Sequence, residues 1–121
     1  MSDFLTLDNT VLTVVETNVS TAGSVWVVSP TDGKIVYFAS VIDGAIGNAD
    51  AAITMELGGV AVTGAALTIA TASSAAGDVD SAIPTAANFV QKGQAIDIIT
   101  DGASTGSVSA AYTIVIKLTS N

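Results

Sequence analysis

Three side chains that carry much of protein chemistry are missing. The sequence has no cysteine, no histidine and no arginine, and its basic side chains are Lys34, Lys92 and Lys117. Without cysteine there are no disulfides and no thiolate metal sites. Without histidine there is no Ser-His-Asp triad, no Cys-His pair and no histidine-based zinc site. Without arginine and with dispersed lysines, a phosphoryl-transfer site lacks its usual cations. The same lack, with a formal net charge of -8, argues against nucleic acid and anionic membranes as partners. No run approaches the roughly 18–20 apolar residues of a membrane helix. Met1-Ser2-Asp3-Phe4 opens without a basic segment leading into an apolar one, so no secretory leader is expected. No cofactor is expected. The chemistry left open is that of carboxylates or a lysine nucleophile.

What is present is a chain of 121 residues, half of them hydrophobic and 12% charged, with a mean hydropathy of +0.64. That length suits one domain spanning 1–121. Much of the apolar content is alanine and valine, which points to a β-rich protein with little charged skin, some of it covered by partners. The hydrophobic period is two. Ile53, Met55 and Leu57 alternate with polar or small neighbours in Ala52–Leu57, and Gly58-Gly59 then signals a two-residue hairpin into Val60–Val62. Further runs are Val11–Glu16, Val25–Val28, Lys34–Ile42, Ala66–Ile69, Ala95–Thr100 and Tyr112–Leu118. The run Lys34–Ile42 is apolar on both faces, with Ile35, Tyr37 and Val41 on one side and Val36, Phe38 and Ile42 on the other. Such a strand is central in a sandwich or lies under an interface. Turn clusters separate the runs, among them Asp43-Gly44 and Asp101-Gly102. The expected fold is all-β: a single β-sandwich or jelly-roll-like barrel of roughly eight short strands. Phe4, Leu5 and Leu7 suggest an N-terminal arm at 1–10, and Pro84-Thr85 can start a short helical turn over Thr85–Val90.

Candidate sites are few. A glycosidase needs two carboxylates, and Asp97, Asp101, Glu16 and Glu56 are available. Asp101 reads as a turn former, and the two glutamates read as lying on polar strand faces. Asp78-Val79-Asp80, with Ser81 nearby, has the D-x-D spacing of a calcium loop but lacks the remaining ligands of an EF-hand, so local Asx turns are the favoured role of Asp78 and Asp80. Gly44–Asn48 is no phosphate loop, because no Lys-Ser/Thr follows. Trp26 on a strand can stack on a sugar, although core packing is the favoured role of Trp26, Tyr37, Phe38, Phe89 and Tyr112.

From Asp50 to Leu118 the chain carries Ala51-Ala52-Ile53-Thr54 before Gly58-Gly59, then Ser74-Ala75-Ala76-Gly77. Next come Pro84-Thr85-Ala86-Ala87-Asn88-Phe89-Val90 and Lys92-Gly93-Gln94-Ala95-Ile96. Thr100-Asp101-Gly102-Ala103-Ser104-Thr105-Gly106 and a last strand ending in Ile116-Lys117-Leu118 complete the series. This pattern resembles small phage capsid decoration proteins, which stabilise viral heads. Gln94 stands where that pattern has an acidic residue. The resemblance implies a compact β-structure, often a homotrimer, made in the host cytoplasm and placed on the outer capsid surface of the virion. Its partner would be the major capsid protein, and its role would be to stabilise the shell by bridging capsid subunits. The alternative is a carbohydrate-binding or host-adhesion β-sandwich of a virion surface or fibre protein, with Trp26 exposed. A carboxylate enzyme is the least favoured.

The stretch from Ala72 to Val90 is long and polar for a connection between strands. It is expected to be an ordered surface segment, with Ile83, Phe89 and Val90 tucked onto the body. Ser81, Ile83, Pro84, Thr85 and Asn88 are the candidate residues for oligomer or shell contact.

Overall fold

The computed structural model describes residues 8–119. The strands run in order β1 (Asn9–Glu16), β2 (Gly23–Val28), β3 (Gly33–Ile42), β4 (Ala51–Leu57), β5 (Val60–Ala61), β6 (Leu67–Ile69), β7 (Val79–Ala82), β8 (Phe89–Val90), β9 (Ala95–Thr100) and β10 (Ala110–Leu118). They form two five-stranded antiparallel sheets. The first has the order β1-β10-β3-β7, with β8 also on β3; the second has the order β2-β9-β4-β5, with β6 also on β4. The chain alternates between the sheets from β1 to β4 and crosses again at β6–β7, β8–β9 and β9–β10. The β-sandwich expectation is met.

The core lies between the sheets. From β10 come Tyr112, Ile114 and Ile116, from β3 Ile35, Phe38 and Ile42, from β4 Ile53, Met55 and Leu57, and from β9 Ile96 and Ile98. The period of two reads these strands correctly because one face of each meets the opposite sheet. Phe38 and Tyr112 pack with ring centroids 5.7 Å apart, a tilted contact worth about 0.5–1.5 kcal/mol beyond its area. The Gly58-Gly59 hairpin forms as read, with both glycines at positive φ (59° and 82°) and Leu57 paired with Val60. This is the backbone a two-residue primed turn demands.

Four expectations need correction. First, β3 does not keep one period throughout. Tyr37 pairs with Val115 and Ile35 with Ile116, so Val36 is an extra residue and the register shifts there. This bulge turns Ile35 inward with Phe38 and Ile42, and leaves Tyr37 and Val41 on the outer face. Second, the Ala72–Val90 stretch contains two strands, β7 and β8, both on β3. No helical turn forms at Thr85–Val90; Ala86 instead bridges to Thr63, because tertiary pairing outweighs local preference. Third, Glu16 is buried, only 7% exposed, and accepts a hydrogen bond from the Tyr112 hydroxyl at 3.4 Å. Fourth, residues 9 and 10 of the expected arm belong to β1, the Asp8 carbonyl accepts from the Leu118 N–H, and residues 1–7 lie outside the described residues.

Candidate functional site

The long polar stretch is held in place by the body. Asn88 is 2% exposed. Its Nδ2 donates to the Ile35 carbonyl at 2.7 Å, and the Ile35 N–H donates to the Asn88 carbonyl at 2.9 Å. Asn88 therefore completes the backbone pairing of β3 beside its bulge. On the other side, Thr85 N–H donates to the Thr63 carbonyl and Thr63 N–H to the Ala86 carbonyl. Gly64, at φ +84°, passes so close that a Cβ there would sit 2.8 Å from the Ile83 carbonyl oxygen. Of the candidate contact residues, Ser81, Ile83 and Thr85 are exposed, whereas Pro84 and Asn88 are buried. Pro84 and Asn88 therefore support the segment from behind. Ile83 and Phe89, expected to tuck inward, are 67% and 64% exposed; only Val90 enters the core.

Asp78 and Asp80 do different work. The Asp78 carboxylate accepts from the Ala75 N–H at 2.9 Å, the local turn read from sequence. Asp80 pairs with Ser40, whose side chain is on the core side, so an acid on an edge strand points inward. Burial raises its pKa, and the neighbouring charge of Asp78 raises it further. An inward charge on an edge is a recognised guard against edge-to-edge pairing. Both aspartates line a cavity of about 160 Å³ with Ile69 and Val79. Among the described residues, no group of three or more acidic side chains is placed to hold a metal ion.

The outer face of the first sheet carries uncharged rows across its strands. Its first row is Val15–Ala111–Val41–Val79, its second Thr13–Thr113–Ala39–Ser81, and its third Val11–Val115–Tyr37. None of these side chains is charged. Val11, Val15 and Val79 are each more than half exposed. Around the small residues Ala39, Ala111 and Thr113 the face sinks into a depression of about 330 Å³, bordered by Tyr37, Val41 and Val79. Its two ends differ in charge. A fourth row holds Lys117 and Lys34 as strand partners, beside Phe89; the Lys34 ammonium lies 5.6 Å from the Phe89 ring centroid, in cation–π range. At the opposite end sits Asp43, its carboxylate fixed by the N–H and hydroxyl of Ser109 at 3.0 and 2.8 Å.

The second sheet presents a different row: Trp26 on β2, Asp97 on β9 and Glu56 on β4 are successive strand partners. Trp26 is 61% exposed, so the core-packing expectation fails for it; Phe38 and Tyr112 fill the core instead. Asp97 Oδ1 is shielded from water and has no hydrogen-bond partner. Asp101 is a turn former: its Oδ1 accepts from Ala103 N–H and Ala52 N–H. Asp97 and Asp101 are four residues apart along the strand direction, about 13 Å, beyond the roughly 5–9.5 Å of a glycosidase pair. The pair that is adjacent is Asp97 with Glu56, which lies across strands and was not singled out as a pair in the sequence because register is invisible there.

No family model matches the chain, and no curated protein matches it significantly. Solved structures do share its architecture. A cyanophage Pam1 capsid asymmetric unit overlays with a TM-score of 0.53 at 18% identity, covering 92% of this chain and 84% of that one. The catalytic domain of a GH87 alpha-1,3-glucanase in complex with nigerose overlays with a TM-score of 0.54 at 11% identity, covering 90% of this chain. This chain spans only 22% of the glucanase chain's length. What is shared is the fold. The two-sheet sandwich thus occurs both in a phage capsid and inside a sugar-processing enzyme, and the fold does not choose between those roles.

Proposed function

We propose that this chain is a virion structural protein that binds the outside of a phage capsid as a homo-oligomer and stabilises the shell by bridging capsid subunits. The observation that carries the reading is the uncharged outer face of the first sheet. A protein of net charge -8 leaves three rows of one face without a single charge, and such a face is built to be covered by protein. Ser81 and Ile83 extend it into the β7 segment. The strand order β1-β10-β3-β7 against β2-β9-β4-β5 supports a jelly roll, an arrangement found in viral capsid and lectin domains. The mechanism is mass action: whatever binds the intact shell and not its dissociated subunits raises shell stability, and many copies make weak contacts effective together.

The test is co-sedimentation of the purified protein with mature capsids, followed by thermal disruption of the loaded shells. Saturable binding and a higher disruption temperature are expected; binding to no shell at any protein concentration would sink the reading.

A second reading has one observation in its favour. The exposed Trp26 suits a sugar, the ring stacking on the indole face. Glycan-array binding lost on Trp26→Ala is its signature. An enzymatic role is not favoured, because this row lies on an open sheet face with a thin acid–base repertoire.

A further inference from the structure

We infer that the uncharged face of the first sheet is covered by a second copy of this chain, packed face to face about a two-fold axis that lies along the Thr13–Thr113–Ala39–Ser81 row. The inference rests on the reading of that face as one covered by protein and names the partner. Three features select a copy of the same chain.

The charges come first. Lysines occupy the fourth row, one end of the face, and Asp43 lies beyond the first row at the other end. The row midway between them is the second. Two such sheets related by an axis along that row run their strands in opposite directions, which lays Lys34 of each copy over Asp43 of the other. Lys117 then lies over Ser109, next to the same carboxylate. An axis along the strands would instead stack lysines on lysines. The face is thus complementary to itself in one orientation and repulsive in the other, and opposed charges of this kind fix register.

Shape comes second. The same operation places Tyr37, in the third row, over Val41 in the first row of the other copy, beside Ala111. Tyr37 then meets the Val41 rim of the depression that surrounds Ala39, Ala111 and Thr113. The ring and the rim it meets lie on one surface, as an isologous contact requires.

Area comes third. Four strands about 4.8 Å apart and four rows about 7 Å apart give roughly 500 Å² of flat face, or about 1,000 Å² for the pair. That is the lower edge of specific interfaces, so pairing is expected to depend on concentration. An axis of this kind closes with two copies, in place of the three that the sequence resemblance implies.

The experiment is sedimentation velocity and native mass spectrometry of the full chain, without capsids, over a series of concentrations. A monomer–dimer equilibrium is expected. Thr113→Lys, which puts two like charges near the axis, should give a monomer whose melting temperature matches that of the parent diluted until it is monomeric. Lys34→Asp and Asp43→Lys should each weaken pairing by roughly tenfold, the effect of two exposed charge contacts turned repulsive. Mixing these two variants should restore it as a heterodimer, since both cross-axis contacts become opposite again. A protein that stays monomeric throughout, a trimer, a dimer indifferent to Thr113→Lys, or no recovery on mixing would each overturn the inference. Shell binding is measured separately. A monomer that binds capsids defeats the pairing and spares the capsid reading; a dimer that binds no capsid does the reverse.

Discussion

Removing the Asn88 amide measures how far the polar segment is part of the fold. In Asn88→Ala the Ile35 carbonyl loses a 2.7 Å donor at a residue with no exposed surface, beside a bulge where no strand neighbour can substitute. An acceptor left unpaired in such a place costs about 1–3 kcal/mol, and the small void adds to it, so about 2 kcal/mol is expected in total. The unfolding entropy of 121 residues, at about 2.1 cal/mol/K per residue, converts 1 kcal/mol to about 4 °C. The melting temperature of Asn88→Ala, followed by circular dichroism, should therefore fall by about 8 °C. Asn88→Asp should fall at least as far at neutral pH, where a buried carboxylate faces a carbonyl, and should recover in part in acid, where its protonated oxygen can donate. If Asn88→Ala melts within about 2 °C of the parent, or if Asn88→Asp matches the parent at pH 7, the amide is not what ties β8 to β3. Replacing the whole of residues 81–88 with glycine and serine would remove part of β7 and this anchor, and would destabilise the sandwich as well as its contacts.

Other consequences can be checked on the same purified protein. Burial raises the Glu16 pKa above its ordinary 4.5, with the Tyr112 hydroxyl opposing the shift. The folded state thus holds this proton more tightly than the unfolded chain does. Stability from this group is present below about 4.5 and is lost as pH rises through the higher folded value. Glu16→Gln should therefore stabilise the protein at pH 7 and lose that advantage in denaturant melts near pH 4. Trp26→Ala should leave stability within about 0.5 kcal/mol, and Trp26 fluorescence should be red and quenched by acrylamide; a blue, unquenched spectrum would show the indole covered. Gly64→Ala, at positive φ against the Ile83 carbonyl, should cost about 1–3 kcal/mol in urea melts, and a neutral result would mean the 83–86 segment moves aside freely.

Strands that present one face to the opposite sheet were legible, because Ile53, Met55 and Leu57 or Tyr112, Ile114 and Ile116 carry their period whatever surrounds them. The Gly58-Gly59 turn was legible for a local reason, the backbone angles that glycine alone adopts cheaply. β7 was not. Val79-Asp80-Ser81-Ala82 has the composition of a loop and becomes a strand because β3 offers it an open edge. The bulge at Val36 was equally hidden, and it decides whether Tyr37 faces the core or the surface. Glu16 looked solvated because its partner, Tyr112, lies ninety-six residues away. The candidate site followed the same rule. Ile83 was expected to tuck inward and is exposed, and the rows that surround it and Ser81 exist only once four strands are in register. Trp26 was weighed as core on the habits of aromatic residues, and two smaller rings occupied that place.

The pairing of β1 and β3 on either side of β10 has a temporal meaning. β10 is the last of the described strands to leave the ribosome, yet it is an interior member of the first sheet. Until it arrives, β1 has no neighbour, and the rows that run from Val15 to Val79 or from Thr13 to Ser81 are broken in the middle. Long-range closure of this kind makes folding slow, on the order of milliseconds to seconds. It also makes the adhesive face a product of completed folding. A chain synthesised only as far as β9 has no such face to offer, so copies cannot begin to associate through it before β10 is in place.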